Sequence, residues 1–267
     1  ELEPILFILY THPLSCVICS HQVSYQLYAD DTQIYSSSSP SEISATIHNM
    51  EKCICDVKSW MICNKLQMNN DKTEAILIAT QRTHLSHALP STLNINGIPI
   101  EFSKSLRNLG IIFDNSFSLH QNIMNTCRAA YLELRRISSI RNFLSVDATK
   151  TLMCSLVLSK LDYCNSLLSG SPQYLIQLFQ KVQNRAARIT LRASRVVHTS
   201  PLLYSLHWLP VQQRIKHKVC SICYATLTGT NPKYMSELVN VYIPSRCLRS
   251  LSDRRTLTIP YVKTKIC

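Results

Sequence analysis

The sequence lacks an uninterrupted apolar run of the roughly 18 residues that a membrane-spanning helix needs, so it predicts no such helix. Residues 5–10 could pass for part of a signal peptide, but acidic Glu1 and Glu3 precede them and no basic segment does. Charged residues are few, at 16%, and hydrophobic residues make up 46%, which is typical of a globular protein rather than a disordered one. We therefore expect an intracellular protein, in the cytoplasm or nucleus, without membrane contact and not secreted.

The sequence also lacks the histidine pairs that would turn its cysteines into zinc sites. Cys16/Cys19 and Cys220/Cys223 are both C-x-x-C pairs in apolar runs, with no nearby His pair at ligand spacing. The twelve cysteines are scattered through the chain and do not form the framework of a small secreted domain. The pattern favours buried free thiols over zinc, with a secreted, disulfide-bonded protein as a further alternative.

Positive charge is concentrated in the second half of the chain. Residues 1–117 hold 7 Lys/Arg against 11 Asp/Glu, and residues 118–267 hold 21 against 5. A basic half beside a carboxylate-bearing half suits a protein that clamps a nucleic-acid backbone near a metal site. The alternatives are a solvated basic surface without a polyanion and, less favoured, an anionic membrane.

Two adjacent carboxylates, Asp30 and Asp31, lie between two β-prone runs, residues 23–28 and 32–36. This arrangement predicts a hairpin with residues 29–31 at its turn. Adjacent carboxylates repel each other unless a cation neutralises them, and Mg²⁺ held by carboxylates is common in phosphoryl transfer. Asp-Asp is also a common polar turn, but the tyrosines on both arms, Tyr28 and Tyr35, favour a site.

Tyr28-Ala29-Asp30-Asp31 resembles the metal-binding tetrad of reverse transcriptases, and the run through Tyr35 is similar to that of LINE-type (non-LTR) vertebrate retrotransposon polymerases. Later blocks follow in the family's order, over about residues 4–260. The resemblance implies an RNA-directed DNA polymerase using two-metal nucleotidyl transfer. Asp30 would ligate Mg²⁺, with Mn²⁺ as an alternative, Asp31 would assist, and Tyr28 would shape the primer-terminus pocket. The implied partners are an RNA template, a DNA primer or RNA–DNA duplex, and deoxynucleotide triphosphates.

Two further blocks in the first half resemble parts of the same family. Residues 66–74 resemble its Leu-x-x-Asn-x-x-Lys-Thr block, which implies that Lys72 protonates the leaving pyrophosphate or holds the triphosphate, although a lone Lys in such a turn is usually only a solvated charge. A strand is predicted at 75–79. Residues 106–114 resemble the primer-grip hairpin, with Leu109 and Gly110 at the primer strand. Another hairpin is predicted at 93–100, its turn formed by Asn96 and Gly97.

From Ser118 the apolar pattern becomes helical. One predicted helix face carries Ile123, Cys127, Ala130, Tyr131, Leu134 and Ile137. Arg141 is predicted to lie on another face. By resemblance this region is the thumb, whose helices contact nucleic-acid phosphates. The candidate contacts on its helices are Arg128, Arg135, Arg136, Arg185, Arg188, Arg214 and Lys218. A second basic helix is predicted at 211–227.

The predicted fold class is α+β. We expect a partial palm at residues 1–117, an antiparallel sheet backed by helices that include one at 43–61. A basic helical thumb and connection follows at 118–230, and an irregular tail at 231–267. The family's other metal-binding Asp and its fingers have no counterpart here, so we expect an N-terminally truncated fragment with little or no activity alone. The alternative is a non-enzymatic nucleic-acid-binding remnant that uses its basic helices.

Overall fold

The structure is a computed structural model that describes residues 2–80, 90–95, 97–242 and 257–258. The chain divides into two units, Glu1–Ser118 and Leu119–Cys267. The first combines helices with short antiparallel strands, and the second is mainly helical. The α+β class is therefore confirmed. The division falls one residue beyond the predicted boundary, while the assignment of the units to a palm and a thumb stays a prediction.

The first unit begins with two apolar helices, α1 (Glu3–Thr11) and α2 (Leu14–Ser20), separated by a turn that contains Pro13. The span Glu3–Ser20 has a mean hydropathy of 1.3, is 17% buried, and is long and apolar enough to cross a membrane. By this criterion of length and composition the expectation that no such segment exists was wrong, because Thr11 and His12 interrupt the run without lowering its average enough. Core helices of soluble proteins and signal sequences share this length and composition.

The core of the first unit lies between α2, a hairpin and one long helix. The hairpin strands are β1 (Ser24–Tyr28) and β2 (Asp31–Tyr35), and the helix is α3 (Ile43–Cys63), which includes the predicted span 43–61. Alternate strand residues Tyr25, Leu27 and Ile34 pack on the buried cluster, as the period of a strand requires. The buried residues of that cluster are Leu14, Ile18, Val23, Cys53 and Val57. Burial raises the pKa of the Cys53 thiol, and the charge of Asp56 adds to this.

Two more hairpins complete the described part of the first unit. They are β3 (Thr92–Ile95) with β4 (Ile98–Glu101), and β5 (Ser105–Asn108) with β6 (Ile111–Asp114). Both were predicted, although Asn96 lies outside the described residues. The three hairpins form separate two-stranded sheets. The predicted strand at 75–79 does not form: Ala75 makes an isolated bridge with Phe102 and the Ala79 N–H donates to the Asn115 carbonyl (3.0 Å), but these two contacts do not make a continuous ladder.

The second unit is a set of packed helices. In chain order they are α4 (His120–Ile140), α5 (Val146–Met153), α6 (Ser159–Asp162), α7 (Gln173–Leu191), α8 (Thr199–Ser205), α9 (Val211–Leu227) and α10 (Lys233–Ser236). A π-helical segment, Cys154–Leu158, joins α5 to α6. Helix α9 matches its prediction. The region predicted to be an irregular tail includes α10 and an antiparallel bridge between Val241 and Leu257.

Helix α4 packs against α7 through the predicted apolar stripe, with one exception. Tyr131 was predicted on this face, but its side chain is 44% exposed. Arg141, predicted on an outer face, is 6% exposed. Its guanidinium donates to the carbonyls of Ile189 (3.0 Å) and Thr190 (2.7 Å) at the C-terminal end of α7. Arg141 therefore caps a helix whose last carbonyls need donors, and it does not face solvent.

Candidate functional site

The two carboxylates lie at the tip of the first hairpin. Tyr28 and Asp31 face each other across the last pair of the ladder, and Ala29 and Asp30 form the two-residue turn between them. Asp31 therefore begins β2. The sequence had predicted that it lies within the turn. Ala29 has φ 51°, a left-handed conformation that costs an alanine about 1 kcal/mol or more.

Both carboxylates are open to a cation. Asp30 and Asp31 are exposed, and neither side chain forms a hydrogen bond or salt bridge with any described residue. Carboxylate oxygens are the ligands that Mg²⁺ prefers, so this donor set fits the implied metal. The described residues contain no group of three or more His, Cys, Asp and Glu side chains arranged to hold a metal. The pair would thus supply part of an octahedral shell, with substrate phosphates and water as further ligands.

Tyr28 lies at the end of β1, directly opposite Asp31, and its side chain is 62% exposed. It points away from the face of the hairpin that packs on the core, since its neighbour Leu27 occupies that face. An exposed aromatic ring beside two open carboxylates can contact a sugar or base. The assignment of Tyr28 to a primer-terminus pocket stays a prediction.

The structure brings the predicted primer-grip hairpin to the carboxylate hairpin. Leu109 and Gly110 form the turn between β5 and β6, with φ 44° and 86°, as a type I′ turn requires. Just before this turn, the Asn108 Oδ1 atom accepts a hydrogen bond of 2.7 Å from Gln33 Nε2 of β2. Two segments more than 70 residues apart are therefore joined directly. Sequence reasoning assigned no role to either Gln33 or Asn108, although both lie within the quoted motifs.

Lys72 lies in a single 3₁₀ turn, Asn70–Lys72, whose N-terminus is capped by the side chain of Asn69. The Asn69 Oδ1 atom accepts from the backbone N–H groups of Asp71 (3.1 Å) and Lys72 (3.2 Å). The Lys72 side chain is exposed, and no hydrogen bond or salt bridge within the described part of the chain joins it to Asp30 or Asp31. Its role toward a triphosphate stays a prediction.

The predicted phosphate contacts of the second unit fall into two groups. Those that are exposed and form no side-chain hydrogen bond or ion pair among the described residues are Arg128, Arg135, Arg185 and Lys218. Arg136 is also exposed but pairs with Glu133 at 3.1 Å, one turn earlier on α4. A polyanion could therefore bind Arg128, Arg135, Arg185 and Lys218 without breaking other contacts of their side chains.

Two other predicted contacts are already used within the fold. Arg214 forms an ion pair with Asp162 and donates from Nε to the Leu209 carbonyl at 3.1 Å. Arg188 donates to the Val197 carbonyl at 3.2 Å, while its buried Nε atom has no partner among the described atoms. These contacts hold α9 and the segment after α7 in place. Both residues stay predicted contacts, but a phosphate would have to compete with the partners they have.

Comparison with known proteins found a similarity over the first part of the chain. Residues 2–113 match the family model described as Reverse transcriptase (RNA-dependent DNA polymerase). The match includes both carboxylates, Lys72 and the hairpin at 109–110, and it covers less than half of the chain. No curated protein and no solved structure matches the chain. The first unit is thus supported as reverse-transcriptase-like, while the basic helices lie outside the match.

Proposed function

We propose that this chain is part of an RNA-directed DNA polymerase of a LINE-type vertebrate retrotransposon. The first unit would contribute the catalytic hairpin, and the second would bind the nucleic acid. The observation that carries the proposal is the hydrogen bond between Gln33 and Asn108, which joins the carboxylate hairpin to the Leu109–Gly110 hairpin. The match over residues 2–113 includes both segments. We expect the protein to act inside the cell, in the cytoplasm or nucleus.

In this proposal Asp30 is the direct metal ligand and Asp31 assists it. Bound Mg²⁺, or Mn²⁺ in its place, would activate the primer 3′-hydroxyl and neutralise the phosphates of the incoming nucleotide. Tyr28 would contact the primer terminus, and the backbone at Leu109 and Gly110 would hold the primer strand. We also propose that the chain is a truncated part of its parent and polymerises little by itself.

A second candidate is a nucleic-acid-binding remnant without catalytic activity. The observation that favours it is the set of Arg128 and Arg135 on α4 and Arg185 on α7, which are exposed and form no ion pair among the described residues. Binding through these charges would follow the phosphate backbone and weaken steeply with salt. It would not depend on Asp30 or Asp31.

The two candidates are separated by one comparison between the chain and its Asp30→Ala/Asp31→Ala variant. We would measure Mn²⁺ binding by paramagnetic resonance, and primer extension on an RNA template with Mg²⁺. The polymerase proposal predicts that the double substitution removes the metal binding and any extension. Asp147→Asn, which changes an exposed carboxylate in the second unit, should leave both unchanged.

Metal binding that survives the double substitution would contradict the metal site. Nucleic-acid binding that is equal in both proteins, without extension in either and without metal binding, would support the remnant.

A further inference from the structure

Tyr131 is an exposed aromatic residue where the helical pattern predicts a buried one. Its neighbours Ala130 and Leu134 on α4 are 0% and 2% exposed, while Tyr131 is 44% exposed. Burial of the inner part of the ring raises the pKa of Tyr131, and the neighbouring Cys127 thiol adds to this. The side chain is therefore partly buried against the fold and partly open to solvent.

Three arginines surround this open ring. Arg128 and Arg135 lie three residues before and four residues after Tyr131, and side chains at these spacings are neighbours on one helix flank. Arg185 comes from α7, which packs against α4, and its charge acts on the phenol in the direction that lowers the pKa of Tyr131. All three arginines are exposed, and none forms a hydrogen bond or ion pair with a described residue.

The nearest acidic residue in the sequence does not neutralise this flank. Glu133 is two residues from Tyr131, and residues at that spacing do not face each other on a helix. Its carboxylate pairs with Arg136 instead. The flank thus combines uncompensated positive charge with an accessible aromatic face, and this combination is the recognition chemistry of single-stranded nucleic acid. A duplex offers phosphates to the arginines but no unstacked base to the ring.

We propose that Tyr131, Arg128, Arg135 and Arg185 form a binding surface for single-stranded nucleic acid. An unpaired base stacks on Tyr131, and the flanking phosphates contact the three guanidinium groups. The inference rests on the proposed function for its class of ligand, but it requires no polymerase activity and no metal at Asp30 and Asp31. It assigns a specific contact to α4 and α7 in addition to general backbone binding.

The first test uses the full chain with a labelled short oligouridylate and a duplex of the same length. Tyr131→Leu should weaken oligouridylate binding about tenfold, within the range seen for base–aromatic stacking, and leave duplex binding unchanged. Tyr131→Phe keeps the ring and should bind like the original chain. Arg128→Gln should lower the salt slope by about 0.7 for a single strand.

The matched control for the loss of the ring is Tyr174→Leu. Tyr174 is an exposed tyrosine of α7, but the uncharged residues Ser171 and Leu178 stand at the spacings that Arg128 and Arg135 occupy around Tyr131. Because this ring lacks the flanking arginines, its removal should leave oligouridylate binding unchanged.

A second test needs no substitution. An oligonucleotide carrying 5-iodouracil crosslinks on irradiation to an aromatic side chain stacked on it, so the crosslinked peptide should contain Tyr131. Crosslinks confined to other peptides would overturn the inference. Equal loss of single-strand and duplex binding in Tyr131→Leu, or no loss at all, would also overturn it. If Tyr131→Leu still weakens oligouridylate binding in the Asp30→Ala/Asp31→Ala background, the binding surface is independent of the polymerase proposal. That proposal is tested separately, by metal binding and primer extension.

Discussion

At the scale of single residues, burial decides which of the cysteines are chemically active. Cys127 on α4 is 7% exposed, and burial raises its pKa to about 11. Cys53 on α3 is 0% exposed and its pKa is also raised. No disulfide joins any of the ten described cysteines, and exposed thiols include Cys16 and Cys154. The prediction of buried thiols was right for Cys53 and Cys127 but wrong for the C-x-x-C cysteines Cys16, Cys19 and Cys220, which are exposed because the helices that carry them leave these positions uncovered.

These differences predict selective alkylation of the folded chain. Iodoacetamide at pH 8 should modify Cys16 and Cys154 within minutes and leave Cys53 and Cys127 unmodified, because only the accessible thiolate is the nucleophile. Mass spectrometry of the digested protein would locate the label, and urea-unfolded protein is the control in which all four sites should react. Early labelling of Cys127 in the folded protein would contradict the packing of α4 on α7.

Among the elements of the first unit, the ladders of the three hairpins are not joined to one another. The three hairpins form separate two-stranded sheets, and an isolated hairpin is only marginally stable in water. The Gln33–Asn108 hydrogen bond is a direct side-chain contact between the carboxylate hairpin and the 109–110 hairpin. This contact joins two parts of the proposed site.

The coupling of these hairpins is measurable by a double-mutant cycle. Gln33→Ala and Asn108→Ala should each lower the free energy of unfolding by about 1 kcal/mol, and the double variant should lose little more. Gln26→Ala is the matched control, because Gln26 faces Gln33 across the ladder, is exposed, and makes no side-chain hydrogen bond among the described residues. Urea unfolding gives the values. Strictly additive effects would show that the contact does not form in solution.

The turn that leads from β6 toward α4 depends on one carboxylate. Asp114 accepts hydrogen bonds from the Ser116 hydroxyl (2.7 Å), the Ser118 N–H (2.8 Å) and the Ser118 hydroxyl (2.9 Å). Partial burial alone would raise the pKa of Asp114, but these hydrogen bonds outweigh it, and the pKa is lowered.

A lowered carboxyl pKa sets the sign of a pH effect. The stabilisation by Asp114 should be complete above its unfolded pKa of about 3.9 and should be lost as the pH falls through the lower folded value. Asp114→Asn should remove this part of the acid dependence, measured by urea unfolding between pH 6 and acid, while Asp147→Asn should not. An unchanged pH profile in Asp114→Asn would show that the carboxylate is not stabilised by the fold.

At the scale of the whole molecule, the two units differ in how much core they have. Among the described residues, eight buried hydrophobic residues belong to the first unit and twenty-two to the second. The first unit also exposes most apolar side chains of α1, such as Ile5 and Leu9 at 57% and 64%. A small core and an exposed apolar helix predict low stability and a tendency to aggregate.

The units should therefore behave differently when produced separately. A fragment of residues 119–267 should unfold cooperatively in urea, since its helices bury a continuous core. A fragment of residues 1–118 should show a broad transition or aggregate. Circular dichroism and light scattering on both fragments and the full chain would check this. A sharp, reversible transition of the 1–118 fragment would contradict the prediction.

Features that depend on neighbouring residues could be predicted from the sequence. The hairpin at 24–35, the helix at 211–227 and the apolar stripe of α4 follow from local period and turn chemistry, and all are present. Features whose partners are distant in the chain could not be predicted from the sequence and emerged from the packing of the folded chain. The carbonyls that accept hydrogen bonds from Arg141 lie 48 and 49 residues away in the sequence. Asp162 lies 52 residues from its partner Arg214, and Gln33 lies 75 residues from its partner Asn108. The same holds for the missing strand at 75–79 and for the exposure of Tyr131. A strand needs a partner strand, and the burial of a side chain depends on the packing of another element. Neither can be inferred from the neighbouring residues in the sequence.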